Sequence, residues 1–221
     1  MTTIDFVLAA LAAAAAGLVN AGPIATNLLA GEGEDSLVTR FGQGVILSRI
    51  PLFLFQAVQA ALLPRLSRLA ATGEMAEFRQ GFSKLLRVVI GVGVLGVVGA
   101  FVLGPFAVEK LYTTDLSRRT LAMLALGSAF YMLGLAFAQA VIALHGHAQV
   151  ALGWTIGMVT FVLTTWAIQG EVFRRVEIGL LVGSFSSMLV FWLALRGRLR
   201  RGEVPDTESV LMALTDQPME S

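Results

Sequence analysis

Apolar residues in this chain come in long blocks that are separated by short polar segments. Residues 88–108 and 121–144, for example, contain no charged side chain. A block of about 18 apolar residues or more is typical of a helix that crosses the roughly 30 Å hydrocarbon core of a bilayer. The pattern therefore predicts an all-α fold with about six transmembrane helices, at residues 4–30, 37–63, 85–110, 118–145, 148–169 and 177–196.

The polar segments predict turns, a linker and a tail. Residues 31–36 read as an acidic turn, residues 64–83 as a polar linker with an amphipathic pattern, and Gly146 as a tight turn. We expect residues 1–200 to form one six-helix transmembrane bundle and residues 201–221 to form a disordered polar tail. The first apolar block follows an acid rather than a basic region and is long for a signal peptide, so we expect it to be retained.

Composition supports a membrane protein and narrows the chemistry. The chain is 56% hydrophobic and 14% charged, with a mean hydropathy of +0.77, whereas soluble domains carry about 25% charged residues. The net charge of +1 gives no field directed at nucleic acid, and the absence of cysteine excludes disulfides and thiolate chemistry. His145 and His147 have no carboxylate near them in sequence. We therefore expect no metal site, no cofactor and no enzymatic activity.

Charge also predicts an orientation. The linker after the second helix and the segment after the last helix together hold nine Lys and Arg residues, against six in the opposite loops. Because cytoplasmic loops carry an excess of Lys and Arg, both termini are expected in the cytoplasm. Trp154, Trp166 and Trp192 lie near predicted helix ends and are interpreted as anchors at the membrane interface.

Arg49 is the most unusual polar residue, because it lies inside the second apolar block. A charge near the centre of a membrane helix costs roughly 2.5–3.5 kcal/mol on insertion scales. At 100° per residue, Gln56 lies within about 20° of Arg49 and Gln59 about 80° away. By the same geometry Asn20 and Asn27 share a face of the first helix. Ser128 and Gln139 share a face of the fourth helix, near Tyr131.

Three narrow polar faces turned inward would form a hydrated groove for a sugar or peptide headgroup. The candidate substrate-binding residues are Arg49, Gln56, Gln59, Asn20, Asn27 and Gln139. The planar guanidinium of Arg49 suits phosphate. Other roles stay open: the amides could bond neighbouring helices, and Arg49 could snorkel or bind a backbone carbonyl. Gly91, Gly93, Gly96 and Gly99 are interpreted as helix-packing positions.

Two stretches of the sequence match a known pattern. Residues 48–53 (SRIPLF) continue through Gln56 to residues 61–69 (ALLPRLSRL), and a Gly-acid turn follows at residues 72–74. The next apolar block ends in Gly-Pro-Phe at residues 104–106 and Lys-Leu-Tyr at residues 110–112. These elements resemble those of the oligosaccharide flippases in the multidrug/oligosaccharidyl-lipid/polysaccharide exporter superfamily. The resemblance extends over about residues 4–197.

The resemblance implies a function and a partner. Members of this family have two six-helix lobes around a central cavity, and they move lipid-linked sugar across the bacterial plasma membrane by alternating access. This chain is similar to the C-terminal lobe, so the resemblance implies a missing N-terminal lobe or partner half, with membrane lipid and a lipid-linked sugar as ligands. It also implies that Arg49 holds the pyrophosphate. The alternatives are half of a multidrug/cation antiporter, a non-transporting membrane scaffold that binds partners or lipid-linked intermediates, and, third, a polyprenyl-sugar transferase.

Overall fold

The described part of the chain folds as a bundle of helices. A computed structural model describes residues 17–18, 20–31, 33–112 and 115–201, without the side chains of residues 57–63 and 201. No strand occurs among these residues, and the predicted all-α class is confirmed. The helices are α1 (residues 20–29), α2 (Asp35–Ser48), α3 (Ile50–Ala71), α4 (Met75–Val102), α5 (Gly104–Tyr112), α6 (Arg118–Ala143), α7 (His147–Ala167) and α8 (Val172–Arg201).

Five helical segments of the described chain are long and apolar enough to cross a membrane, which makes this a multi-pass membrane protein. They are Asp35–Gln56, Met75–Val102, Arg118–Ala143, His147–Ala167 and Val172–Arg200. The predicted first span lies mostly outside the described residues, so the total of six stays a prediction. The predicted tail beyond residue 201 also lies outside them.

The predicted second span is two helices, not one. α2 ends at Ser48 and α3 begins at Ile50, with Arg49 between them. Pro51 has no N–H to donate, and its ring excludes the carbonyl that a continuous helix would place four residues earlier. The backbone N–H of Arg49 instead bonds the carbonyl of Ile46 at 3.1 Å, three residues back. Pro51 therefore accounts for the interruption of the predicted span.

The predicted polar linker at residues 64–83 is wrong, because most of this segment is helical. α3 continues through Pro64 to Ala71, and α4 begins at Met75. Only residues 72–74 form a turn, in which Gly73 has a φ of 73°. Apolar residues at helical spacing bury one face of each arm: Leu66, Leu69, Ala70, Phe78 and Phe82. The amphipathic pattern was visible in the sequence, but the many Arg, Glu and Ser residues led to its interpretation as a linker.

Two other helix boundaries also differ from prediction. The third predicted span is divided into α4 and α5, since Pro105 cannot continue the helix from α4. The last predicted helix, at 177–196, extends over Val172–Arg201 and is the longest of the described helices at 30 residues. The predicted turn at Gly146 is confirmed, where His145 takes a φ of 62° between α6 and α7.

α6 lies at the centre of the bundle, with α4 and α8 packed along it and α7 packed on α8. Glycines permit these close approaches, because lipid provides no hydrophobic drive between helices. A Cβ on Gly93 would lie 3.1 Å from Ala129, and one on Gly96 would lie 2.5 Å from Pro51. The packing interpretation is therefore confirmed for these two glycines. Gly91 and Gly99 have open space around them.

Candidate functional site

Arg49 lies at the break between α2 and α3, where the helix-disrupting Pro51 follows two residues later. It is half-buried, and its side chain lines a small cavity inside the bundle. The interruption allows the chain to carry a charged side chain inside a segment that is otherwise apolar enough to span a membrane. Irregular backbone at membrane depth is tolerated where it is buried in protein or lines a cavity.

The cavity has a volume of about 30 Å³, enough for one or two water molecules. Five helical segments contribute to it: the part of the chain at residue 18, α2, the start of α3, α6 and α8. The lining residues are Leu18, Val45, Ser48, Arg49, Leu52, Leu124, Gly127, Ser128, Tyr131, Leu180 and Ser184. Its polar groups are thus one guanidinium and four hydroxyls.

Two of the four hydroxyls meet across α2 and α6. Ser48 Oγ donates to the carbonyl of Val45 at 2.8 Å, and it lies 3.4 Å from Ser128 Oγ. Since a serine has a single hydroxyl proton, Ser128 donates in the second contact. Tyr131 is buried and close enough to Arg49 for an electrostatic interaction. The ring of Tyr131 is held by Trp154, with centroids 5.3 Å apart.

The structure brings together only part of the predicted polar groove. Arg49 lines the cavity with Ser128 and Tyr131, so the predicted faces of the second and fourth spans meet here. The other candidates lie elsewhere. Gln56 is exposed on α3, Asn20 and Asn27 are exposed on α1, Gln139 is half-buried on α6, and the side chain of Gln59 is outside the described part. None of the described four lines this cavity.

The interface-anchor prediction for Trp154 is wrong. Its side chain is 3% exposed and packs between Tyr131 and Phe191, with a centroid distance of 4.9 Å to the latter. Trp166 is exposed, as expected of an anchor. The aromatic-belt rule considers position along a helix, whereas burial depends on which neighbouring helix covers that face.

An ion pair between a buried carboxylate and an exposed arginine, at one end of the bundle, was missed from sequence. Glu177 is fully buried in α8, and its Oε1 lies 2.7 Å from Nη2 of Arg119 on α6. The sequence boundary placed the start of α8 at this residue, so the acid was counted with the loop. Glu177 precedes Ser184 by seven residues, which puts it about two turns away on the same face of α8. The pair therefore lies on the side of α8 that also borders the Arg49 cavity.

The described residues contain no group of three His, Asp or Glu side chains placed to hold a metal ion. No model of a known protein family, no curated protein and no solved structure matches this chain. Fold and site together define a multi-pass helical membrane protein with an arginine and several hydroxyls inside its bundle.

Proposed function

We propose that this chain is one lobe of a transporter that flips lipid-linked oligosaccharide across a bacterial plasma membrane, with both termini in the cytoplasm. The observation that carries the proposal is Arg49, half-buried at a helix break inside a membrane-spanning bundle. An ionisable residue at such a site is costly, and it marks a substrate or ion pathway more often than a structural contact. The flippase-like sequence around Arg49 gives the proposal its substrate class.

The chemistry of the lining suits this substrate. A guanidinium presents a planar fork that binds phosphate oxygens through two parallel hydrogen bonds. The hydroxyls of Ser48, Ser128 and Tyr131 can accept hydrogen bonds from sugar hydroxyls and, after reorientation, donate to sugar or phosphate oxygens. Arg49 would hold the pyrophosphate, while the lipid tail stays in the bilayer.

The size of the cavity supports a second lobe. Ligand pockets for molecules of ordinary size have volumes of roughly 300–1,000 Å³, whereas this cavity has about 30 Å³. A sugar pyrophosphate cannot fit inside this lobe alone. The Arg49 region would form one wall of a larger cavity, closed by a partner lobe that rocks against it.

The test of this proposal is complementation of glycan export in a flippase-deficient bacterial strain. The chain alone should fail to restore export, and co-expression with an N-terminal lobe should restore it. A matched control is the same co-expression with a lobe from an unrelated transporter. Full export from the chain alone would contradict the half-transporter proposal.

The buried carboxylate of Glu177, paired with Arg119, favours a second candidate, half of a multidrug/cation antiporter. A carboxylate buried in a membrane helix can exchange a proton or cation during transport. If this candidate is right, Glu177→Gln should abolish the dependence of transport on a cation gradient while the protein still accumulates. Transport that keeps its gradient dependence in Glu177→Gln would exclude this role. A chain that binds lipid-linked intermediates but supports no transport with any partner lobe would indicate a scaffold.

A further inference from the structure

A second site lies away from Arg49, in a groove between α4 and α8. Both helices pack along α6, and they have little contact with each other along their length. The space between them is a groove of about 400 Å³ whose floor includes Phe82 and Phe137. The rings of these two residues are 5.7 Å apart and largely buried. The groove is therefore apolar at its base.

Three arginines surround the polar end of this groove: Arg79 on α4, and Arg196 and Arg200 on α8. No Asp or Glu is among its lining residues. Arg79 Nη2 donates to the carbonyl of Leu199 at 2.8 Å and so spans from α4 to α8. The guanidinium of Arg196 lies over the ring of Trp192, 5.3 Å from its centroid. Two of the three cations are thus held in place by contacts within the chain.

The position of the charges along the helices matches the structure of a bilayer. Arg79 is near the start of α4, and Arg196 and Arg200 are in the last turns of α8. The apolar part of the groove runs from there toward the membrane-spanning parts of both helices. Cations near the end of a membrane helix are expected at the depth of lipid headgroups, and the apolar walls further along at the depth of acyl chains.

We propose that this groove binds an anionic phospholipid. The phosphate would lie among Arg79, Arg196 and Arg200, and one acyl chain would lie along Phe82, Phe137 and Trp192. Positive pockets between membrane helices recognise anionic headgroups, and the guanidinium fork is well suited to a phosphodiester. The groove shares no lining residue with the Arg49 cavity.

Quenching of Trp192 by brominated lipids tests the proposal. In the full chain carrying Trp166→Phe, Trp154 remains buried in the bundle and Trp192 is the tryptophan that borders the groove. The variant is reconstituted in vesicles containing phosphatidylglycerol or phosphatidylcholine brominated on the acyl chains. Brominated phosphatidylglycerol should quench Trp192 at a mole fraction at least about fivefold lower than brominated phosphatidylcholine. A factor of about five is what one basic residue contributes near anionic lipid.

Removal of the charges should remove the preference. Arg79→Gln/Arg196→Gln/Arg200→Gln should make the two lipids equal, with the ratio taken within each variant. The matched control, Arg65→Gln/Arg68→Gln/Arg87→Gln, removes three exposed cations that do not line the groove and should keep the preference. In native mass spectrometry, the unaltered chain should retain phosphatidylglycerol in preference to phosphatidylcholine. This measurement does not depend on whether the variants fold.

Three results would overturn the proposal. Equal quenching by both lipids in the parent would show that the groove does not select anionic lipid. Equal loss of preference in the control variant would show general attraction to the charged surface rather than a site. Displacement of the lipid by excess inorganic phosphate would show a site for a free anion, not for a phospholipid.

Discussion

At the scale of single residues, close approach between helices depends on glycine. The contact of α7 with α8 is the clearest example, because a Cβ on Gly153 would lie 2.1 Å from Phe191. One turn along, a Cβ on Gly157 would lie 1.8 Å from Ser187 Oγ and 3.0 Å from the carbonyl of Gly183. Ser187 cannot move away at no cost, since its hydroxyl donates to the carbonyl of Gly153 at 3.0 Å.

Gly157→Ala should therefore destabilise the protein by about 1–3 kcal/mol, the usual cost of overpacking a well-packed core. The matched control is Gly91→Ala, where the added methyl group meets open space and should be neutral or slightly stabilising, since alanine favours helix. Reversible unfolding in detergent measures both. Equal stability of the two variants would contradict the packing described for α7 and α8.

Single residues also mark where prediction from sequence stops. Arg49 was identified from the sequence because a charged residue within an apolar block can be recognised without knowing how the helices pack. The cavity residues Ser48 and Ser184 were not identified from the sequence, because only the packing of α2 and α8 brings them to the same cavity as Arg49. Glu177 was missed because a five-residue error in the start of α8 moved it from a buried helix face to a loop.

At the scale of helices, proline placement decides where the chain bends. α2 ends three residues before Pro51, whereas Pro64 lies inside α3 without interrupting it. Apolar blocks predicted the spans well, because length and hydropathy are local properties of the sequence. The hairpin of α3 and α4 was not predicted, since its polar exposed faces favoured a linker, and its amphipathic pattern does not show which neighbour covers the apolar face.

Pro51→Ala should restore the missing N–H and allow α2 and α3 to straighten across Arg49. Spin labels at the exposed residues Thr39 and Ser67 lie on opposite sides of the break, so their separation should increase. Pro64→Ala is the control, because that proline lies between the same labels in a continuous helix. A separation unchanged by Pro51→Ala, or changed as much by Pro64→Ala, would show that Pro51 does not cause the break.

At the scale of the whole molecule, the described bundle presents polar side chains to its surroundings. Asn27 and Gln56 are exposed on helices of a membrane protein. Amide groups exposed to hydrocarbon are unfavourable, because lipid offers no hydrogen bonds. This distribution suits a lobe that meets a partner or an aqueous cavity on part of its surface, in agreement with the small size of the Arg49 cavity.

Orientation in the membrane is a property of the whole chain, and the Lys and Arg asymmetry predicts cytoplasmic termini. Reporter fusions at Ser36, Asp115 and Gly170 should report the outside, and fusions at Gly73 and Glu203 the inside. Each position is fused once to alkaline phosphatase and once to a fluorescent protein. Because the two reporters are active on opposite sides of the membrane, the two readings check each other. The reversed pattern would contradict cytoplasmic termini and the assignment to a C-terminal lobe.

The central claim, that Arg49 binds the substrate, is tested most directly by glycan export per molecule of protein in the complete two-lobe assembly. Arg49→Ala should abolish export while the protein still inserts and accumulates. Arg49→Lys should restore export only in part, since lysine keeps the charge and loses the two-pronged hydrogen bonding. Arg87→Ala, which removes an exposed cation outside the cavity, should leave export unchanged. Unchanged export per molecule in Arg49→Ala, or a loss that only follows protein abundance, would contradict the claim.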